Sequence, residues 1–504
     1  MNGVRVKDVL VIGAGPAGLA AARAARAGGA SVTLLDSSDQ LGGQFWRHLP
    51  DTRPSAAERL LHHGWDTFRG LRDVLSSDSG CRIIASAQVW AIETSAGGPG
   101  TVHVVVGESD GVGRERLAFT PGAMVLATGA HDRVLPFPGW DLPGVFSGGA
   151  AQSLAKGERL AVGRRVVVAG AGPFLLPVAA SLAGAGSRVL GVFEANRAPT
   201  LLRGWLPRPW QLLPAAGKGV ELAGHLASHL RHHIPYRLGR MVVAAHGTDR
   251  VEAVTVASVD ADWAPIDGTQ RTVEVDAVCV SHGFTPRLEL AIAAGCALTA
   301  DRFVRVDEGQ QTSVPGVYAA GEITGIGGAD LAMAEGIIAG HVAAGGTAAD
   351  DQLRRVVRRR RVFQGFARRI EAAHAIRPGW PKVLTADTIV CRCEEVTFGK
   401  LCATTETTRS RSLRALKLST RAGLGICQGR VCGRSVEELL ADRVGDGGLR
   451  DGVTTDRRPI AAPIRLGELA VDHHGRGLTH LTQDTHSPDR PPDSRKERND
   501  QAGT

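Results

Sequence analysis

The sequence predicts an α/β protein with two Rossmann-like dinucleotide-binding domains and a small helical domain after them. Three observations predict this fold. An apolar strand, a glycine-rich turn and a helix follow one another near residue 13 and again near residue 170. Gly makes up 64 of 504 residues, roughly twice its usual share, and gathers at such turns. Five of the eight cysteines follow residue 390, which indicates a separate unit there.

Composition excludes several classes of protein. With 43% hydrophobic and 22% charged residues, the chain is typical of folded proteins rather than disordered ones. The excess of 59 basic over 51 acidic residues is mild, and no aromatic and basic stripe indicates stacked bases, so nucleic acid is not an expected partner. The uncharged stretch 169–186 contains a glycine-rich turn, so no membrane span or export signal is predicted. We expect a cytoplasmic protein.

The first unit contains the fingerprint Gly13-x-Gly15-x-x-Gly18 between the strand 7–12 and a helix. Gly13 permits the tight turn, Gly15 lets the backbone approach a pyrophosphate, and Gly18 lets the helix pack on the sheet. Asp36 ends the next strand, 23 residues after Gly13, where an acid accepts from ribose hydroxyls. These features together predict a dinucleotide site.

The second unit repeats this pattern with a degraded fingerprint, Gly170-x-Gly172-x-x-Leu175. Its third glycine is Leu175, and Pro177 falls in the first turns of the helix. Glu194 ends the following strand and would favour a ribose 2′-hydroxyl over a 2′-phosphate. The fold is expected here, but its ligand stays open between NAD(P), another nucleotide and an empty scaffold.

Three further segments resemble flavoproteins that carry two dinucleotide-binding domains, and the resemblance implies FAD at the first site. Such proteins place a glycine pair like that in 41–44 against the FAD, and 127–129 ends a returning strand. The segment 317–322 resembles their C-terminal flavin motif, although its acid is Glu322 rather than the usual Asp. A helix starting at Ala329 would stabilise negative charge on a reduced flavin. The residues implied for FAD are Gly43, Gln44, Thr128, Gly129, Gly321, Glu322 and Ala329.

The flavoprotein part has no pair of cysteines that could serve as a redox disulfide. Cys81, Cys279 and Cys296 are isolated from one another in the sequence, whereas disulfide reductases of this type carry a CxxC or CxxxxC pair beside the flavin. Disulfide reduction is therefore not an expected activity.

The C-terminal cysteines form two close pairs, Cys391-x-Cys393 and Cys427-x4-Cys432, with 33 residues between the pairs. Two such pairs can converge on one metal centre. Zinc is one candidate, although Cys-x-Cys is tighter than zinc ribbons prefer. Four thiolates suit a [2Fe–2S] cluster equally well, and the upstream flavin favours this one-electron carrier. The segments CRCEEVTFGKL and STRAGLGICQGRVCG also resemble bacterioferritin-associated-ferredoxin-like [2Fe–2S] domains. Cys402 is left over as a core residue.

Residues 127–152 and 320–336 complete a wider resemblance that covers about 7–470. With the flavin, second nucleotide and iron–sulfur parts in this order, the chain is similar to the alpha-type subunits of the opine oxidase, hydrogen cyanide synthase and D-hydroxyproline dehydrogenase group. The resemblance implies a partner flavoprotein subunit of the D-amino-acid-oxidase (DAO) type, which carries the amine site. It leaves open peripheral contact with a respiratory acceptor and the presence of a small ferredoxin-like subunit.

By this resemblance the chain is an FAD- and [2Fe–2S]-containing electron-transfer subunit of an amine or amino-acid dehydrogenase. Electrons from the partner's flavin would pass through the cluster to the FAD of this chain. The alternative is a self-contained NAD(P)H-dependent reductase, and a further alternative is a non-enzymatic iron sensor. Catalytic side chains remain unknown, because His131 and His282 are expected to be polar turn residues. The three histidines at 225, 229 and 232 are expected to lie on a solvated face.

These motifs predict five regions. The Arg-dense helix at 351–370 is expected to be a connector with a solvated face, and the polar C-terminal residues to be disordered. The predicted regions are a split FAD domain at 1–157 and 295–346, a second nucleotide domain at 158–294, a connector at 347–385, a [2Fe–2S] domain at 386–442 and an extended, largely disordered tail at 443–504.

Overall fold

The computed structural model describes residues 7–53, 58–95, 97–445, 455–458 and 460–470. It confirms the predicted fold class, since each nucleotide unit is built on a five-stranded parallel sheet. In both sheets the fingerprint strand lies between the second strand of its own unit and a returning strand from later in the chain.

The first sheet orders its strands as Val317–Ala319, Ala123–Leu126, Asp8–Ile12, Ser31–Leu35 and Cys81–Ile84. Helix Pro16–Ala27 packs closely on helix Ala329–Ala343, because Gly336 and Gly340 have no side chain. A Cβ atom at either glycine would come within about 2.1 Å of a backbone oxygen of the first helix. The shorter helices Glu58–Leu61 and Trp65–Ser77 complete this unit.

The second sheet orders its strands as Tyr236–Leu238, Arg188–Glu194, Arg165–Gly170, Ala277–Ser281 and Val145–Ser147. Its helices are Gly148–Ser153, the π-helical turn Leu154–Glu158, Leu175–Gly184, Ala198–Trp205, the 3-10 turn Pro209–Ala215 and Ala216–Arg231. Helix Glu289–Ala293 follows the second unit in sequence but packs in the core of the first unit.

Each nucleotide unit also carries a three-stranded antiparallel sheet. The strands are Ala87–Ser95, Gly98–Val106 and Glu115–Phe119 in the first unit, and Arg240–His246, Ala253–Ser258 and Arg271–Glu274 in the second. The chain passes between the two units at Ala130–Asp132 and again at Phe284–Pro286. These two segments pair with each other as a short antiparallel ribbon.

The Arg-dense segment begins with the 3-10 turn Asp351–Leu353 and continues as helix Arg354–His374. Two of its arginines are buried. Arg360 donates to the carbonyl of Glu308, and Arg369 donates to the carbonyls of Trp205 and Arg208. The helix therefore fastens the two nucleotide units, as a connector should.

The cysteine-bearing unit contains strands Ile389–Cys391 and Val396–Thr397 and helices Phe398–Thr408, Leu413–Thr420 and Gly433–Val444, after the 3-10 turn Trp380–Val383. Its core includes Leu413, Val436 and Leu440, and is continuous with Trp263 and Met241 of the second nucleotide unit. The cysteine unit is thus packed on the flavoprotein part rather than tethered to it.

Part of the predicted tail is packed on the first nucleotide unit. The Ala461 N–H donates to the carbonyl of Trp90, and Arg114 forms an ion pair with Glu468 of the short helix Leu466–Ala470. Residues 455–458 and 460–470 thus belong to the folded structure, whereas the disorder was predicted from about residue 473. The rest of the predicted tail from 446 onwards lies outside the described residues. Within the described residues, no helix has the length and apolar character needed to cross a membrane.

Candidate functional site

The first fingerprint forms a bare backbone surface at the start of helix Pro16–Ala27. Gly13 has φ of +103°, and a Cβ there would lie 2.3 Å from the Ala127 carbonyl oxygen. Gly18 packs on Gly13, where a Cβ would lie 1.6 Å from the Gly13 oxygen. Gly15 precedes the helix without a side-chain cap, so its first N–H groups are free for an anion. The turn therefore fits a pyrophosphate.

Asp36 lies directly under this turn. Its carboxylate accepts hydrogen bonds from the N–H of Ala14 (2.5 Å) and of Ser38 (2.8 Å). Burial raises the pKa of Asp36, while these N–H groups and the cations Arg287 and Arg47 oppose the rise. Asp36 remains partly exposed, so it can accept from a ribose hydroxyl. Sequence reasoning missed Arg287, whose approach depends on contacts more than 250 residues apart.

The glycine pair after Asp36 closes over the fingerprint. Gly43 has φ of +60°, and a Cβ there would lie 2.9 Å from the Cα of Gly15. The Gln44 side chain accepts from Arg47 at 3.2 Å and from Ser153 of the second unit at 3.4 Å. The structure therefore brings Gly43 and Gln44 to the first nucleotide site, where the resemblance placed them.

Thr128 and Gly129 are fixed by the chain that returns from the second unit. The Thr128 hydroxyl donates to the carbonyl of Arg287 at 2.8 Å, and the Gly129 carbonyl accepts from the Arg287 N–H at 2.9 Å. A Cβ at Gly129 would meet open space, so packing does not require a glycine there. Its φ of +71° does favour glycine.

Two carboxylic acids lie at the end of the strand Val317–Ala319. Glu322 accepts from the N–H of Gly328 at 2.7 Å, and burial raises its pKa to about 7. Glu335 accepts from the N–H of Gly321 (2.9 Å) and the hydroxyl of Thr324 (2.7 Å), and burial raises its pKa to about 7 as well. Sequence reasoning missed Glu335, which fixes the Gly321 turn from within helix Ala329–Ala343.

That helix begins beside Glu322 and carries no side-chain cap at its N-terminus. Its uncapped N–H groups favour negative charge nearby. The extra methylene of Glu322 is accommodated by the hydrogen bond to Gly328. These features fit the ribityl and pyrimidine parts of FAD.

The second nucleotide site differs at its acid. Glu194 is completely buried, and its carboxylate accepts from the N–H of Gly172 (2.9 Å), the N–H of Asn196 (3.0 Å) and the hydroxyl of Tyr236 (3.2 Å). His374, from the end of the Arg-dense helix, places Nδ1 3.4 Å from the same carboxylate. Burial opposes its ionisation, but His374 and the N–H groups hold the pKa of Glu194 below the ordinary value.

This environment corrects the expectation for Glu194. Both of its oxygens are taken up by protein groups, which leaves no accessible acceptor for a ribose hydroxyl. The turn itself is less closed, since a Cβ at Gly172 would meet open space. Gly170 has a packing role, because a Cβ there would lie 1.7 Å from the Ser281 oxygen.

The structure brings the four C-terminal cysteines together. Cys432 donates hydrogen bonds that lower the pKa of Cys391 to about 6 and of Cys427 to about 4, and its own pKa is raised in return. Cys393 contacts Cys427. The contacts thus link the thiols in the order Cys391, Cys432, Cys427 and Cys393. Among the described residues, no three or more His, Cys, Asp or Glu side chains are arranged so that they could hold one metal ion.

Exposure divides these thiols into two kinds. Cys391 and Cys432 are buried, Cys427 is half-buried and Cys393 is exposed. The low pKa of Cys391 and Cys427 favours thiolates, which are the ligands of iron–sulfur clusters. Four thiols of this kind suit the iron ions of a [2Fe–2S] cluster in ligand type. Cys402 lies on helix Phe398–Thr408 apart from the four, and it is half-buried rather than the core residue that was predicted.

The loop between Cys427 and Cys432 is anchored on the flavin unit. The carbonyl of Arg430 lies 3.0 Å from Nε2 of His131, which follows the Thr128–Gly129 turn. The Arg430 guanidinium donates to Glu289 at 2.9 Å and to the carbonyl of Ala461 at 2.6 Å. The two expected cofactor sites are therefore joined by direct contacts.

The other histidines have structural positions. His282 is buried, accepts from the Leu135 N–H at 3.4 Å, and has its pKa lowered to about 4 by burial. His229 is buried and lies 3.1 Å from the carbonyl oxygen of Leu176, so the expected solvated face is wrong for this residue.

Comparison with known proteins agrees with this geometry. Residues 7–336 match the family model of pyridine nucleotide-disulphide oxidoreductases, and residues 389–442 match the BFD-like [2Fe-2S] binding domain. The A subunit of opine oxidase from Agrobacterium tumefaciens is 33% identical over 94% of each chain. Hydrogen cyanide synthase subunit HcnB of Pseudomonas aeruginosa is 31% identical over 92% of this chain and 99% of its own. The L-proline dehydrogenase structure from P. horikoshii has the same fold, with a TM-score of 0.64, 21% identity, and coverage of 92% of this chain and 79% of its own.

The predicted cofactors and fold class are thus confirmed: the chain is an oxidoreductase that uses FAD and a [2Fe–2S] cluster. It belongs to the pyridine nucleotide-disulphide oxidoreductase family, within the group of HcnB and the A subunit of opine oxidase, and carries a C-terminal BFD-like [2Fe-2S] binding domain.

Proposed function

We propose that this chain is the electron-transfer subunit of a heteromeric dehydrogenase that oxidises an amine or amino acid of the opine, proline-like or glycine type. HcnB and its counterparts in opine oxidase (the A subunit) and sarcosine oxidase (the alpha subunit) are named as subunits, which supports a partner for this chain. We infer a DAO-type flavoprotein as that partner from the resemblance to the opine oxidase and hydrogen cyanide synthase group, and no amine-binding group is identified in the described residues of this chain. The cytoplasm is its proposed compartment, since four of the eight cysteines converge in one cluster and none of the eight is paired as a disulfide.

The contact between His131 and Arg430 is the observation that carries this function. FAD supplies two-electron chemistry and the [2Fe–2S] cluster one-electron transfer, so a chain with both can divide an electron pair. The chain's own residues position the two groups. Arg430 fixes the loop of Cys427 and Cys432 on the strand that follows Gly129, and Glu289 neutralises its guanidinium.

We assign the flavin to Gly13, Gly15, Gly18 and Asp36 together with the Gly43–Gln44, Thr128–Gly129 and Gly321–Glu322 segments and Ala329. The cluster ligands are Cys391, Cys393, Cys427 and Cys432. The second nucleotide unit, with Gly170, Gly172 and Glu194, is assigned a scaffold role, because its acid is enclosed by Tyr236, Asn196 and His374. The domain boundaries predicted from the sequence are kept in this proposal with two changes. The second unit begins at about residue 145, because strand Val145–Ser147 belongs to its sheet, and residues 455–458 and 460–470 are added to the folded part.

A self-contained NAD(P)H-dependent reductase is the alternative function. Buried Glu194 speaks against it, since the ribose of a nicotinamide nucleotide would have to displace protein donors. The test is amine-dependent reduction of an artificial electron acceptor by this chain, by a DAO-type subunit of the same organism, and by both. Turnover that depends on the presence of both is expected, and equal turnover by this chain alone would contradict the proposal.

A further inference from the structure

The helices between 198 and 231 leave an unusual amount of apolar surface uncovered. Trp210 is 64% exposed, Val220 75% and Leu230 78%. Isolated exposed apolar side chains are ordinary, but a group of this size in about 30 residues marks an interaction site. The exposed large apolar residues here are Leu202, Leu206, Trp210, Val220, Leu222, Leu226 and Leu230. We call them the insert surface.

Helix Ala216–Arg231 carries the clearest part of this exposed apolar surface. Leu222, Leu226 and Leu230 recur every four residues, which places them along one side of the helix. His229 is buried against Leu176 and fixes the adjacent side on the second nucleotide unit. The leucine stripe itself stays exposed, so it contributes little burial to the folding of this chain.

A row of arginines borders the insert surface. Six arginines of helix Arg354–His374 are exposed, in contrast to buried Arg360 and Arg369. These six are Arg354, Arg355, Arg358, Arg359, Arg361 and Arg368. Among the described residues, Arg355, Arg358 and Arg361 form no ion pair. The two buried arginines make the contacts of the connector, so the exposed ones are available to a partner.

The segment that carries the insert surface lies beside the arginine helix. Asp330 pairs with Lys218 of the insert at 2.9 Å and with Arg359 of the arginine helix at 2.5 Å. A depression of about 430 Å³ lies between them, and Arg355 and Arg358 contribute to its wall. Asp330 stands in the first turn of helix Ala329–Ala343, two residues after the Gly328 N–H that binds Glu322.

We propose that the insert surface and the bordering arginines form the docking site for the partner subunit, and that the partner presents an apolar centre ringed by acidic side chains. This inference rests on the proposed function. Exposed Trp and Arg are the residue types that dominate binding at protein interfaces. A second copy of this chain fits poorly, because it would bring two arginine rows together in a chain of net charge +8.

The test uses the full-length chain with its FAD and cluster, and the recombinant DAO-type subunit of the same organism. Leu226→Asp/Leu230→Asp places charge in the apolar stripe, and Arg355→Glu/Arg358→Glu reverses the border. Each is expected to weaken the heteromer about 100-fold, which corresponds to about 2.8 kcal/mol, near the loss of one hot-spot residue. Iron content, FAD content and reduction by dithionite should stay as in the wild type.

The control is Leu424→Asp/Ile426→Asp, which changes similarly exposed apolar residues of the cysteine unit. It should bind the partner as the wild type does. If the stripe variant loses its cofactors, the exposed arginine variant decides the question. Loss of the partner in the control, with normal binding by both insert variants, would overturn the proposal in favour of the cluster edge.

Other outcomes would assign the insert surface to a different occupant or reject the inference. Dissociation of a homo-oligomer by the insert variants, with the heteromer intact, would assign the surface to a second copy. Loss of binding to anionic phospholipid vesicles alone would assign it to a membrane. If the wild-type chain forms no heteromer, both this inference and the proposed function fail. If the heteromer forms equally with every variant, only this inference fails.

Discussion

The Nε2 atom of His131 lies 3.0 Å from the carbonyl oxygen of Arg430, so a hydrogen bond joins the flavin unit to the cysteine loop. The other ring nitrogen, Nδ1, is buried and has no hydrogen-bond partner in the described residues. The contact places the loop of Cys427 and Cys432 against the turn that follows Gly129. It gives the expected electron route a specific position in the fold.

Replacing His131 by Ala should slow electron exchange between the cluster and the flavin. The substitution removes the contact with Arg430 and leaves a gap at the junction of the two units. The measurement is re-equilibration of the two absorption bands after flash reduction of the flavin. The cluster's EPR spectrum and the iron content should stay unchanged, and the exposed control His246→Ala should exchange electrons as the wild type does. An unaltered exchange rate in His131→Ala would remove this contact from the route.

The cluster assignment predicts about two iron and two sulfide per chain after anaerobic purification, with a brown-yellow colour. Cys393→Ser or Cys427→Ser should lose most of the iron and keep the flavin. Cys402→Ser is the matched control, because Cys402 belongs to the same unit but not to the four converging thiols. Stoichiometric zinc without labile sulfide would contradict the assignment.

Gly15→Val should yield a folded chain without FAD. A Cβ at Gly15 would lie 4.0 Å from the Cα of Gly43, which is an ordinary contact, so the larger side chain fits the fold. It would occupy the space that a pyrophosphate needs. The measurement is flavin released by denaturation, since no covalent link is expected. Gly70→Val, in open space on another helix, should keep its FAD. Full occupancy in Gly15→Val would mean that the flavin binds elsewhere.

Glu335 predicts a dependence of stability on pH. Its pKa in the folded chain is about 7, above the ordinary 4.5, so the folded state keeps a proton that the unfolded state has lost. Its contribution is complete below pH 4.5 and is lost as the pH rises towards 7. The Tm of the wild type should therefore fall more between about pH 5 and about pH 7.5 than that of Glu335→Gln.

The size of this difference is at most about 3 kcal/mol, since one pKa unit corresponds to about 1.36 kcal/mol. Glutamine can accept from Gly321 and Thr324 as Glu335 does, but it has no proton to lose. Glu252→Gln, at an exposed position, is the control and should follow the wild type. Parallel Tm curves for the wild type and Glu335→Gln would refute the assignment of this proton.

Local patterns predicted the fold because a parallel strand, a glycine turn and a helix are close in sequence. Gly13, Gly15, Gly18 and Asp36 lie within 24 residues, so their meeting follows from one βαβ unit. The two cysteine pairs, Cys391-x-Cys393 and Cys427-x4-Cys432, are also short local patterns. A resemblance to known domains indicated which type of cluster they bind.

Long-range contacts were outside the reach of such patterns. Glu194 lies at the sequence position of an acid that binds ribose. Its carboxylate is contacted by His374, which is 180 residues away in the sequence, and by Tyr236, which is 42 residues away. The meeting of His131 with Arg430 spans 299 residues. The burial of Arg360 and Arg369 was not predicted either, since six other arginines of the same helix stay exposed.

Anaerobic rapid mixing of the isolated chain with NADH, NADPH and candidate amines tests the central claim most directly, by the bleaching of the flavin band. The account predicts slow or no bleaching by either nucleotide, because Glu194 is enclosed and Leu175 and Pro177 alter the second turn. Amines should bleach the flavin only after the DAO-type subunit is added. Fast bleaching by NADH in the isolated chain would contradict the account and establish the reductase alternative.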